Sequence, residues 1–355
     1  MREQIEAGKN ESKLRQRVIK LFQVFIVICL VDGFLDITYP LASFSKKYFL
    51  EKLSWTQPNG LDAGSEIIPP EWDLPLPTRS EPGIHNIVAK FNSQNINVDA
   101  DGMRHNGQKP PEKVNYSVFM LGASVAFGWG VADNQTISAH LEHRLKNARV
   151  LNYAGIGQPI SDNLMRWQEL QNKFDKPDLV ILANAAYPIV FECSPTRVLA
   201  VNNRVNIFHY IARKFADNDL SENLQEPCTS SNRSLDMAVN KSVLEIENAV
   251  AFGRKQGIPF YIVYLPTPYE SNVNVDNLIK KQNEKERILL MRQAVSKFHH
   301  ELVKLELPEL IDLSQLLPDK LYFLDIAGHL DKEANIVISE ALFQRIWHGK
   351  PLPPQ

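Results

Sequence analysis

The chain has 355 residues, 44% of them hydrophobic and 23% charged, the balance of a globular protein with room for one large domain and appendages. Its 39 basic and 41 acidic residues give a formal charge of −2, so no basic excess points to nucleic acid. The three cysteines stand far apart with no Cys-x-x-Cys pair, which argues against a cysteine-based zinc site.

Residues 1–17 read as a polar tail. Lys13, Arg15, Arg17 and Lys20 precede an apolar run from Leu21 to Val31, and apolar character resumes after Asp32 as far as Ala42. A membrane span needs about 20 residues. Val18 to Ile37 supplies that length, with Lys20 able to snorkel and Asp32 as a real cost. The short apolar core also suits a cleaved signal peptide, yet no small-x-small cleavage site follows closely. The expectation is an uncleaved signal anchor over 18–42, with residues 1–17 in the cytoplasm and the rest outside it, because the basic flank precedes the span.

Residues 43–114 are irregular and proline-rich, including Pro69-Pro70, Pro75, Pro77 and Pro110-Pro111. They read as a linker and collar with short strands such as 86–91. The piece from Asn97 to Arg104 carries the Asp/Gly character of a calcium loop but lacks the downstream glutamate, so it is expected to be a turn. No metal or cofactor is expected.

From residue 115 to 350 the pattern alternates. Tyr116 to Leu121 is a continuous apolar run without helical period, the mark of a strand buried on both faces. It breaks at Gly122-Ala123-Ser124, with a helix expected to open near Asn134 and to bury Ile137, Leu141 and Leu145. Arg149–Tyr153, Pro177–Leu182, Ile258–Tyr264 and Leu310–Leu313 read as further strands. Helices are expected from near Ser161, over Leu235–Val250 up to Gly257, over roughly 276–305, and from Asp331 to Ile346. An irregular insertion occupies 190–233 and holds Cys193 and Cys228, which can pair in an oxidising compartment. Strand–helix alternation of this kind predicts a three-layer α/β/α domain with a parallel sheet.

A buried strand ending in a small-residue turn sets Ser124 at the carboxyl edge of the sheet, where open α/β sheets bind ligands. A serine there is a nucleophile if a base reaches it, and otherwise only a turn residue. Of nine histidines, His329 stands out: it lies in a loop before the last helix, four residues after Asp325. Asp325 can orient its ring, or simply cap a turn.

Gly122-Ala-Ser-Val-Ala-Phe-Gly-Trp-Gly-Val131, with Thr136 opening the following helix, resembles the first block of the SGNH/GDSL hydrolase superfamily, with Ala123 where the Gly-Asp-Ser motif has aspartate. The resemblance implies a flavodoxin-like α/β/α fold, with Ser124 as nucleophile and its amide in the oxyanion hole. Asn152-Tyr-Ala-Gly-Ile-Gly157 is similar to the second block and puts Gly157 in register as the oxyanion glycine. Asp325-Ile-Ala-Gly-His329 is similar to the Asp-x-x-His block with one residue added. The third block, Gly-x-Asn-Asp, is replaced by Leu182-Ala-Asn-Ala-Ala-Tyr187, where Asn184 stands one position early and the aspartate is missing. What the resemblance implies is a membrane-anchored serine esterase acting on O-acetyl groups of an envelope or extracellular polysaccharide. An O-acetyltransferase with the same triad, and an inactive domain that binds polysaccharide, are the alternatives.

Overall fold

A computed structural model describes residues 76–109, 114–193, 228, 232–270, 282–317, 322–325 and 327–349, except for the side chains of 232 and 282–287. The expected anchor at 18–42 lies outside these residues. Among the described residues no helix is long and apolar enough to cross a membrane.

The central sheet has five strands: β5 (Tyr116–Gly122), β6 (Ala148–Asn152), β7 (Leu179–Ala183), β8 (Phe260–Tyr264) and β9 (Leu310–Asp312). All neighbouring pairs are parallel and the order is β6-β5-β7-β8-β9. β5 and β7 form the middle of this sheet and are buried from Val118 to Gly122 and from Leu179 to Ala183. That is why both appear in the sequence as unbroken apolar runs rather than as alternation. Chain order reverses at β5, since β6 lies on one side of it and β7 on the other, so the carboxyl end of β5 is a topological switch point.

Among the described residues seven helices accompany the sheet: α1 (Ser124–Phe127), α2 (Ile137–Leu145), α3 (Ile160–Lys173), α4 (Tyr187–Glu192), α5 (Asn232–Gln256), α6 (Gln282–Val303) and α7 (Lys332–Trp347). α2 packs on α7, whereas α5 packs on α3, α4 and α6, which gives one helical layer on each face of the sheet. The three-layer α/β/α arrangement is thus present.

The expected cap at Asn134 is corrected to Thr136, whose hydroxyl accepts from Ala139 N. Asn134 sits instead in a 3-10 turn, Asp133–Gln135. Asp133 is held there by Arg104 and by Asn97, and this delays the helix. The helix expected from near Ser161 begins at Ile160, behind Pro159. The insertion expected over 190–233 begins later, because α4 continues to Glu192, and ends earlier, because α5 starts at Asn232. Cys193 and Cys228, at its two margins, are joined by a disulfide.

Residues 76–109 hold four short strands: β1 (Thr78–Glu81) and β2 (Ile84–Val88) form one antiparallel pair, β3 (Phe91–Asn92) and β4 (Asn97–Val98) another. Val88, Ile96 and Val98 are fully buried in the domain core, so this stretch is stitched into the domain. In the Asn97–Arg104 piece, Asp99 Oδ1 accepts from the backbone of Asp101 and Met103, both at 2.9 Å. This is the turn chemistry expected of an aspartate that folds back on its own chain.

Candidate active site

Ser124 is the first residue of α1, immediately beyond the end of β5. Its backbone N–H therefore has no intrahelical acceptor and is free to serve a ligand at the sheet edge. The edge itself is tied down by buried amides. Asn163 Oδ1 accepts from Gly122 N at 2.8 Å, and Asn152 Nδ2 donates to Ala126 O at 3.0 Å. Gly155 N donates to Gly122 O at 3.1 Å, joining the exits of β5 and β6.

His329 Nε2 lies 2.9 Å from Ser124 Oγ, and His329 Nδ1 lies 2.7 Å from Asp325 Oδ2. The histidine and aspartate side chains are 13% and 9% exposed, so the pair is shielded but reachable. Burial would raise the Asp325 carboxyl; the hydrogen bond and charge of His329, with the amides of His329 and Ala327, outweigh it and hold the group below its ordinary range. Asp325 therefore stays ionised, an acceptor that fixes the imidazole with Nε2 turned toward the serine.

The extra residue between Asp325 and His329 is absorbed in a tight turn. Asp325 Oδ1 accepts from Ala327 N and His329 N at 2.9 and 3.2 Å, and Gly328 takes φ +91°. A side chain there would be strained and would press on Pro268, so the turn requires glycine. The loop is pinned at its base by Leu324 N to His329 O, 2.7 Å, and Asp331 N to Tyr322 O, 3.0 Å. Trp129 stacks on the His329 ring with centroids 5.6 Å apart.

Asn184 owes its place to the sheet register. Gly122 pairs with Ala183 across β5 and β7, so Asn184 begins its turn beside Ala123 and Ser124. The residue is 5% exposed, and among the described residues neither Nδ2 nor Oδ1 has a partner. A buried amide without partners is costly, about 1–3 kcal/mol, unless something else satisfies it. Asn184 lines a cavity of about 60 Å³ together with Ala123, Val125, Val190, Leu265 and Gly328. The early register thus leaves the amide facing a cavity next to the serine turn.

Gly157 sits in the exit turn of β6 with φ +61°. It lines a different, larger cavity, shared with Asn86 and Asp162. A Cβ at Gly157 would lie 3.6 Å from the Tyr187 hydroxyl, and Tyr187 lines the small cavity, so the two cavities share this wall.

Two contributors were not foreseen from sequence. Arg104 is fully buried and donates to Phe127 O, Gly128 O and Val131 O at 2.8, 2.6 and 2.7 Å, and through Nε to Asp133 at 3.0 Å. It clamps the loop after Ser124 that carries Trp129. Nothing periodic marks an arginine in an Asp/Gly-rich turn, and only its pairing with Asp133 could have signalled it. Trp129 was visible only as part of the first-block pattern.

No protein-family model matches the chain, and no curated protein sequence does. Solved structures do match. The chain is similar in structure to lipolytic proteins of the G-D-S-L family. One, from Veillonella parvula, is 10% identical with a TM-score of 0.40, covering 65% of this chain and 98% of that one. An acetyl xylan esterase is 13% identical with a TM-score of 0.38, covering 65% and 99%. Est24, a carbohydrate acetylesterase from Sinorhizobium meliloti, is 13% identical with a TM-score of 0.37, covering 66% and 99%.

Proposed function

We propose that the chain is a serine esterase of the SGNH type that removes a small acyl group from an ester. The observation that carries this is the unbroken relay Ser124 Oγ, His329 Nε2 and Nδ1, Asp325 Oδ2, at 2.9 and 2.7 Å. In the forward step Ser124 Oγ attacks the ester carbonyl carbon while His329 takes its proton. The carbonyl oxygen becomes an oxyanion held by the Ser124 amide, with Asn184 Nδ2 and the Gly157 amide as further donors. Collapse breaks the ester C–O bond, and the departing alcohol receives the proton from His329. Water then repeats the sequence on the acyl-serine and releases the carboxylic acid.

The small cavity supports a short acyl group. One water needs about 10–15 Å³ of such space. About 60 Å³ walled by Val125, Val190 and Leu265 suits an acetyl-sized group and not a long chain. The Cys193–Cys228 disulfide supports a location outside the cytoplasm, in line with the anchor read at 18–42.

The test is turnover of an aryl acetate by the purified chain, with and without an oligosaccharide acceptor. Hydrolysis in both conditions is expected. Acetyl transfer to the acceptor at the expense of hydrolysis would make the chain a transferase, and no turnover in either condition would leave a binding domain.

A further inference from the structure

Behind the Tyr187 and Gly157 wall lies a cavity of about 530 Å³. Its size falls within the range of about 300–1,000 Å³ typical of ligand sites. The helix that divides the two cavities is α4. Tyr187, on the small-cavity side, stacks on Phe191, on the large-cavity side, with centroids 5.8 Å apart. A ligand whose acyl group occupies the small cavity therefore has the larger one within one side chain's thickness.

The chemistry of the large cavity is selective. Asp162, Glu192 and Glu245 face it, together with the amides of Asn86 and Asn248 and the ring of Phe191. Among these groups the one lysine is Lys241, paired with Glu192 at 2.5 Å. Three carboxylates against one ammonium leave the walls acidic, with His85 held by Asp162 at 3.0 Å. The field reaches the dividing wall: burial, and after it the charges of Asp162 and Glu245, push the Tyr187 hydroxyl up to about 12. Carboxylates accept hydrogen bonds and amides both give and accept them, while an aromatic face covers C–H surface. This is the complement of a polyhydroxylated ring. An acidic wall repels a ligand that itself carries carboxylates.

We propose that this cavity binds the alcohol side of the ester, and that this alcohol is a glycan free of acidic groups. The assignment rests on the esterase reading and names the substrate class for that site. Asn86, in the middle of β2, is held with φ +53°, and its carbonyl accepts from Ile156 N at 3.2 Å, which fixes β2 against the Gly157 turn.

The experiment compares kcat/KM of the full-length chain on three esters: p-nitrophenyl acetate, an O-acetylated cello-oligosaccharide and an O-acetylated oligogalacturonate. Binding of the unacetylated cello-oligosaccharide is measured in parallel by calorimetry. The neutral glycan ester is expected to exceed the uronate ester at least tenfold. Phe191→Ala and Asn248→Ala should each lower the ratio of glycan ester to aryl ester at least fivefold, chiefly through KM. A uronate ester turned over as well as the neutral one would overturn the proposal, as would a ratio that neither substitution changes. If no ester is turned over, the esterase reading fails by itself. Calorimetry then decides the cavity separately: binding weakened by Asn248→Ala upholds it, and no binding overturns it.

Discussion

A serine hydroxyl becomes a nucleophile only when a neighbour removes its proton, so Ser124 and His329 are expected to act as one unit. Ser124→Ala and His329→Ala should each lower kcat on an aryl acetate by about 10⁴–10⁶, and the double variant should be little worse than either. Asp325→Asn keeps the geometry but loses the ionised acceptor, and should do less damage. A His329→Ala variant that keeps wild-type turnover would place the base elsewhere. Asn184 makes a separate prediction. Its side chain has no protein hydrogen bond to lose, so Asn184→Ala should cost little stability. If the amide serves the oxyanion, the same change should lower kcat by about 10²–10³. Urea unfolding alongside kinetics separates the two roles: a large loss of stability with kcat unchanged would make Asn184 a structural residue. In sequence, Ser124, His329 and Asp325 were legible because each stands at an element boundary. The position of Asn184 was not legible, because it depends on the pairing of Gly122 with Ala183, which no local pattern encodes.

The loop from Phe127 to Val131 folds back on its own backbone, with Trp129 N donating to Ser124 O at 2.9 Å, and a buried cation, Arg104, ties three of its carbonyls. Gly130 lets it approach the other loop closely, since a Cβ there would collide with Leu324 Cδ1. Arg104→Met keeps the length of the side chain but takes one donor from each of three carbonyls and removes the ion-pair partner of Asp133, which keeps its bonds from Asn97. Removing one partner of a buried pair costs about 3–5 kcal/mol, and equilibrium unfolding should show a loss of that size together with a fall in kcat. α7, which follows the His329 loop, is capped by Asp331, whose side chain accepts from Ala334 N at 2.8 Å. Burial, with repulsion from Glu333, raises the Asp331 carboxyl from 3.8 to about 6 despite the backbone hydrogen bonds. A carboxyl raised in the folded state contributes stability that is fully present below its unfolded value and is lost as pH rises through the folded value. Unfolding midpoints should therefore carry a component that falls as pH rises from about 4 to 6. Asp331→Asn keeps a good cap without the charge and should remove that component; an unchanged pH profile would contradict the assignment. The strands were readable because two-sided burial writes itself as apolar runs. The 3-10 turn ahead of α2 was not, because Asp133 is held by Arg104 and Asn97, both distant in sequence.

The whole domain is organised around the reversal of strand order at β5, which brings residues from 122–131, 183–187 and 322–329 to one edge. Alternating strands and helices made that architecture legible. The integration of residues 76–109 was not, since their strands are two to five residues long and their contribution is made by scattered apolar side chains and Arg104. The Cys193–Cys228 bond closes 34 intervening residues between α4, which walls both cavities, and α5. In the chain-entropy view a loop of that length is worth about 3–4 kcal/mol, a contribution that reduction of the bond should remove from the unfolding free energy. Everything in this site turns on whether Ser124 is an activated nucleophile. The most direct measurement is mass spectrometry of the intact chain after exposure to a fluorophosphonate, followed by peptide mapping. One adduct on Ser124 is expected, absent from Ser124→Ala and formed far more slowly in His329→Ala. An unlabelled chain, or an adduct on another residue with Ser124 free, would contradict the claim.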